Sequence, residues 1–246
     1  MPSPGINVTR WAMPAFYLRD PRRACAPPVL CHARRVTKER VNPRSRMVAA
    51  GYDRIVDRFA EWASTAEGEP KAAWLARFAK LVPAGGRVVE LGSGAGPDAS
   101  WLASQYELTG VDISEGQLER ARAEAPQARF IHGDMTTVEF DAASLDGVIA
   151  MYSIIHVPRE LHPTLFARIA GWLRPGGSFV GTLTASDDPG WTGQWLGVEM
   201  FFSGFDAQTN LGLLRESGLE PVESEVVTTH RPDEDETFLW VLARRS

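Results

Sequence analysis

Cysteine is nearly missing from this chain: Cys25 and Cys31 are the only two in 246 residues. That supply cannot build a disulfide framework or a cysteine zinc cluster. It also leaves no thiol beyond residue 31 to attack C6 of a cytosine or uracil. Long apolar runs are missing too. No stretch approaches the roughly 18 residues that cross a bilayer, and no signal-peptide core is present, so a soluble, cytoplasmic protein without a membrane partner is expected. Acid is scarce at the start: residues 1–46 carry 10 Lys and Arg against 2 Asp and Glu, a net of +8, while the other 200 residues carry 16 against 29, a net of −13. An acidic body of that size argues against binding a nucleic acid across its surface.

The first 46 residues also hold 7 of the 17 prolines and no sustained hydrophobic period. They read as a poorly ordered basic extension, with a transit peptide and a nucleic-acid arm as the sharper alternatives. Met47 is a possible true start, and residues 47–246 are read as one domain, long enough to bury a good-sized core.

What the chain does have begins at Val88-Val89-Glu90-Leu91-Gly92-Ser93-Gly94-Ala95-Gly96, where an apolar strand runs into three alternate glycines. Glycine there lets the backbone turn sharply and approach a ligand, while the first N–H groups of a following helix point into the site. A second apolar run, Leu108 to Val111, ends on Asp112, placed to accept from a ribose diol. A dinucleotide turn would put its third glycine at position 97, which is proline; here it is Gly96.

Around this pair, strands and helices alternate. Helices are expected at 47–64 and 70–81, then strand 87–91, helix 97–104, strand 107–111, helix 115–125, strand 129–132, strand 147–151, helix 159–173 and strand 178–183. This alternation predicts an α/β fold, a doubly wound Rossmann-like sheet with helices on both faces. After helix 206–217, the runs 221–229 and 237–243 follow with no helix between them, which predicts a terminal antiparallel β-hairpin.

The Glu90, Gly92, Gly94, Gly96 pattern resembles motif I of the class I S-adenosylmethionine (SAM) dependent methyltransferases, and the terminal hairpin resembles the end of their seven-stranded sheet. Leu173-Arg174-Pro175-Gly176-Gly177 resembles their turn before the fifth strand. The resemblance implies SAM as cofactor, held by Glu90, Gly92, Ser93, Gly94, Gly96, Asp112 and Ile113, with Asp134 and Met135 at the adenine and Met151 nearby. It also implies a role for Tyr52 over the amino-acid end of the cofactor. Tyr52 opens the run Tyr52-Asp53-Arg54-Ile55-Val56-Asp57-Arg58-Phe59, where Phe59 stands in place of the family's second tyrosine.

Methyl transfer from a sulfonium asks mainly for positioning of the acceptor lone pair. A base helps where the acceptor must lose a proton, and His156, just past the fourth strand, is the candidate catalytic base, with a structural histidine as the alternative. His132 reads as a strand end, and His162 as an exposed helix residue. Tyr152, Ser153 and His156 are expected at the acceptor. With them goes an aromatic lid over residues 187–205, too glycine-rich for a plain helix, carrying Trp191, Trp195, Met200, Phe201, Phe202 and Phe205; a packed mini-core is the alternative. The segment after the fourth strand lacks the Asn/Asp-Pro-Pro-Tyr/Phe that amino methylation of bases would suggest. No acidic metal cluster is evident, Asp187 and Asp188 being the pair left open. The expected partner is a small, apolar or aromatic molecule methylated on O or N. A non-catalytic SAM-binding module is the rival reading, and an NAD(P)-dependent oxidoreductase is opposed by the glycine spacing.

Overall fold

A computed structural model describes residues 42–63, 65, 70–230 and 235–246. The expectation for residues 1–41, with both cysteines, lies outside them. The first described helix starts earlier than Met47: α1 (Pro43–Arg54) opens with Asn42, whose side chain accepts from the Arg44 N–H at 2.9 Å, and with proline in its first turn. The single helix expected at 47–64 is two. Ile55 leaves helical geometry and α2 (Val56–Ala63) begins after it, with Phe59 and Trp62 at ring distances of 6.1 and 5.1 Å from Trp195.

The expected alternation follows. Helix α3 (Lys71–Leu81) leads to β1 (Arg87–Leu91), α4 (Ala99–Gln105), β2 (Glu107–Asp112), α5 (Glu115–Glu124), β3 (Arg129–His132) and β4 (Leu145–Ala150). Helix α6 (His162–Trp172) and β5 (Leu173–Thr184) continue it. Two strands that were not expected, β6 (Asp188–Trp195) and β7 (Val198–Gly204), precede α7 (Ala207–Glu216), β8 (Leu219–His230) and β9 (Asp235–Arg245).

Seven strands form one sheet in the order β3-β2-β1-β4-β5-β9-β8. The first five run parallel and β9 is antiparallel to both β5 and β8. Strand residues alternate between two apolar layers. Val89, Val148, Phe179 and Val241 face α6 and α7, while Val88, Ile149, Val180 and Trp240 face α3 and α4. Burial on both faces is what a central parallel sheet requires. The winding reverses between β1 and β4, and the crevice at their C-terminal ends is where such sheets bind ligands.

The segment 187–205, expected not to be a plain helix, holds the β-hairpin of β6 and β7. Leu196 and Gly197, at φ 46 and 75, make a two-residue turn between paired Trp195 and Val198. Its alternation was hidden by Gly190, Gly193 and Gly204. Gly193 serves the packing: a Cβ there would lie 2.3 Å from the Trp191 indole. No helix among the described residues is long and apolar enough to cross a membrane.

Candidate functional site

The glycine turn follows β1 with Gly92, Gly94 and Gly96 at φ 74, 53 and 73, all in the left-handed region. A Cβ on Gly92 would sit 2.2 Å from the Ser153 Cβ, and one on Gly96 3.1 Å from Ala121. Over Gly94 nothing lies within 4 Å of that position. The turn is therefore packed tightly from below and from the α5 side, and open above its middle glycine.

Asp112 ends β2 beside this turn. Its two oxygens accept from the N–H groups of Gly94 at 2.8 Å and Ser114 at 2.9 Å. Burial raises its pKa, and those backbone donors act against the rise. Each oxygen keeps a further lone pair. Glu90 is buried more severely: desolvation, then the charges of Asp98 and Asp112 against Lys71, push it up to about 8. Its Oε2 has no partner, nor do Ser93 Oγ and Asp134 Oδ2. The other Asp134 oxygen accepts from the Thr136 N–H and hydroxyl, at 2.8 and 2.7 Å. The Met135 methyl would lie 3.5 Å from a Cβ placed on Gly92, and Ile113 packs on the cluster of Val48 and Ile55.

The ends of β1, β2 and β3 thus bring together most of the residues expected at the cofactor, with three unmatched polar atoms among them. Unpaired buried polar atoms are costly, and a cluster of them at a sheet's ligand end fits a polar ligand that supplies the partners. Met151 does not join this group; it is half-buried in the layer with Trp74 and Trp240.

Helix α1 crosses above. Asp53 Oδ1 accepts from the Ser114 hydroxyl at 2.6 Å and the Gly116 N–H at 3.0 Å, tying α1 to the start of α5. Tyr52 then lies where burial, with the Asp112 charge, raises the pKa of its phenol. Its hydroxyl bonds His156 Nε2 at 2.8 Å, and His156 Nδ1 lies 2.8 Å from the Phe201 carbonyl. A carbonyl can only accept, so Nδ1 carries the proton and Nε2 accepts from the phenol. Burial lowers the His156 pKa to about 4, holding the ring neutral.

Aromatic rings continue outward from this pair. Phe202 is 4.6 Å from His156, 5.6 Å from Trp195 and 5.8 Å from Trp191, and Tyr52 is 5.1 Å from Phe59. Phe202 was expected in this aromatic segment, whereas Phe59 and Trp62 were missed as its neighbours, since the contacts join α1 and α2 to a hairpin more than a hundred residues away. Arg58 fastens the two parts through the Leu196 carbonyl at 2.5 Å.

Several expected acceptor residues sit elsewhere. Met200 and Phe201 are fully buried against Val48 and Ile55, and Arg44 lies 4.5 Å over the Phe201 ring. For these two the mini-core is what the fold contains. Tyr152, at φ 53, turns its ring onto Phe238 and Trp240 of β9. The Ser153 hydroxyl donates to the Leu91 carbonyl at 2.7 Å, latching the segment after β4 to the end of β1. Trp191 joins the cluster at its rim, 45% exposed.

Among the other histidines, His132 ends β3 as expected and bonds the Ile113 carbonyl at 3.0 Å. His162 is 2% exposed, not a surface residue, because its Nε2 turns inward to the Val157 carbonyl at 3.0 Å. Asp187 pairs with Arg159 at 2.6 Å and Asp188 accepts from the Gly190 N–H at 2.9 Å.

Comparison with known proteins agrees with this geometry. A methyltransferase-domain family matches residues 88–177, which run from β1 to the turn before the central part of β5. The O-methyltransferase cnsE of Penicillium expansum is 35% identical over 119 residues, covering 45% of this chain and 42% of that protein. The 27-O-demethylrifamycin SV methyltransferase of Amycolatopsis mediterranei is 32% identical over 170 residues, covering 63% and 62%. The chain thus matches less than two thirds of the length of these curated relatives. The structure of Burkholderia thailandensis 1,6-didemethyltoxoflavin-N1-methyltransferase, solved with 1,6-didemethyltoxoflavin and S-adenosylhomocysteine, has the same fold. It superposes with a TM-score of 0.62 at 24% identity, over 90% of this chain and 98% of that one. The glycine spacing, the antiparallel strand that ends the sheet and these matches converge: residues 88–177 match a methyltransferase domain, and the chain has the fold of the class I S-adenosylmethionine-dependent methyltransferases.

Proposed function

We propose that this chain transfers the methyl group of SAM to an oxygen or nitrogen of a small, apolar or aromatic organic acceptor, as a cytoplasmic enzyme. The observation that carries the reading is the set of unmatched buried atoms, Glu90 Oε2, Ser93 Oγ and Asp134 Oδ2, around a glycine turn open above Gly94. The cofactor supplies a methyl group already activated on sulfur. Glu90 is suited to an ammonium, Asp112 to the ribose hydroxyls, and Asp134 Oδ2 to an amino donor on the base.

The acceptor is assigned to the ring cluster of Tyr52, Phe59, Trp195 and Phe202, whose flat faces favour an aromatic or apolar molecule and exclude water. In this reading His156 is a positioning residue. A ring with a pKa near 4 and both nitrogens paired is poorly matched to taking a proton near neutrality, whereas it holds Tyr52 to β7. His156→Ala is expected to lower stability by about 2 kcal/mol through the stranded phenol and carbonyl, and to raise the acceptor KM more than it lowers kcat. A fall in kcat of about 100- to 10,000-fold at unchanged stability would make it the base instead.

Calorimetry with S-adenosylhomocysteine tests the cofactor half. Tight binding is expected, weakened in Asp112→Ala by about 1.5–3 kcal/mol, and wild-type affinity in that variant would remove Asp112 from the ribose. Tight binding without turnover of any small acceptor would favour a non-catalytic SAM-binding module.

A further inference from the structure

Gln117 is 1% exposed, and neither its amide oxygen nor its amide nitrogen has a partner. It sits in the first turn of α5, where its backbone N–H is taken by the Ser114 cap at 3.2 Å. One turn further along the helix, Ala121 presses on Gly96. Residues 117 and 121 share a helix face, so Gln117 is carried beside the glycine turn, one turn closer to the strand ends. Its neighbour Gly116 abuts Asp53 and Val56, closing the other side.

A buried amide with both functions unmatched is costly unless a ligand completes it. The unmatched atoms nearby differ in what they ask for. Glu90 and Asp134, as carboxylates, only accept, whereas Gln117 offers a donor and an acceptor together. A pair of adjacent hydroxyls meets that demand, since each can donate and accept. Asp112, five residues earlier at the end of β2, has one lone pair on each oxygen committed to Gly94 and Ser114 and others left over.

We infer that Gln117 is the second clamp on the cofactor's ribose diol, opposite Asp112, accepting from one hydroxyl through Oε1 and donating to the other through Nε2. This rests on the proposed SAM site and adds a residue that reads the two hydroxyls directly. A 2′-phosphate would find an amide where it needs a cation, so the clamp also selects against phosphorylated riboses.

The test uses the full chain and S-adenosylhomocysteine, with its 2′-deoxy and 3′-deoxy analogues, titrated into wild type, Gln117→Leu and the closer-shaped Gln117→Met. Thermal unfolding without ligand is followed in parallel. The variants should unfold at or above the wild-type temperature, because an unmatched buried amide is gone. They should bind S-adenosylhomocysteine about 5- to 30-fold more weakly, and this deficit should shrink for both deoxy analogues, each of which lacks one of the two hydroxyls that Gln117 holds. Unchanged affinity in both variants would overturn the clamp, as would an equal deficit for all three ligands, which marks a packing effect. A wild-type chain that binds none of the three would bring down the SAM site itself, and the clamp with it.

Discussion

Gly92→Ala is expected to unfold roughly 4–20 °C below wild type, a loss of about 2–5 kcal/mol at about 2–4 °C per kcal/mol for a chain of this size. Two costs combine. Alanine at φ 74 costs about 1–2 kcal/mol. Its Cβ would also stand 2.2 Å from that of Ser153, and relieving the overlap moves a hydroxyl whose bond to the Leu91 carbonyl joins the segment after β4 to the end of β1. Overpacking of that kind costs about 1–3 kcal/mol. Gly94→Ala separates folding from binding. With φ 53 and nothing within 4 Å of the new Cβ, it should lose only about 1 kcal/mol. The new methyl enters the space above the turn, so affinity for S-adenosylhomocysteine should fall with the fold intact. Wild-type affinity in Gly94→Ala would mean that the ligand does not pass over this turn.

The second large effect is a pH dependence centred on Glu90. In the unfolded chain its carboxyl titrates near 4.5, and in the folded one near 8. Between those values the folded state holds a proton that the unfolded state has released, so stability falls as pH rises from about 4.5 to about 8 and levels off above. The slope approaches but does not exceed about 1.4 kcal/mol per pH unit. Glu90→Gln removes this contribution and should be more stable than wild type by a few kcal/mol at pH 9. The same change should weaken binding of S-adenosylhomocysteine, whose amino group is a cation suited to an ionised Glu90. Binding by wild type below pH 8 should release a proton, measurable by calorimetry in buffers of different ionisation enthalpy, and Glu90→Gln should release none. Equal pH–stability curves for the two proteins would show that Glu90 ionises normally in the folded chain.

Much of the glycine-turn end of the sheet was legible in the sequence, because its signals are local. A strand, three alternate glycines and an acid after the next strand are each short-range patterns whose backbone geometry follows from residue type. The same holds for the Asn42, Ser114 and Asp206 caps, each of which binds an N–H two or three residues on. The aromatic hairpin was less legible. The hairpin of β6 and β7 hides its alternation behind glycines, and its turn uses Leu196 in a conformation that side chains other than glycine seldom adopt. Nothing local distinguishes Phe201, buried under Arg44, from Phe202, which packs on His156.

By itself the sequence determined the alternating elements, the glycine turn with its acids and the antiparallel end of the sheet, since propensity, turn chemistry and hydrophobic period act within a few residues. Only the tertiary structure decided which aromatics meet, that Tyr52 and His156 share a hydrogen bond across 104 positions, and that Glu90, Ser93, Gln117 and Asp134 keep unmatched polar atoms. Those properties depend on which distant surfaces close on one another and how much water they exclude. Burial, and with it the altered acidity of Glu90 and His156, is a property of the packed chain and of no segment alone.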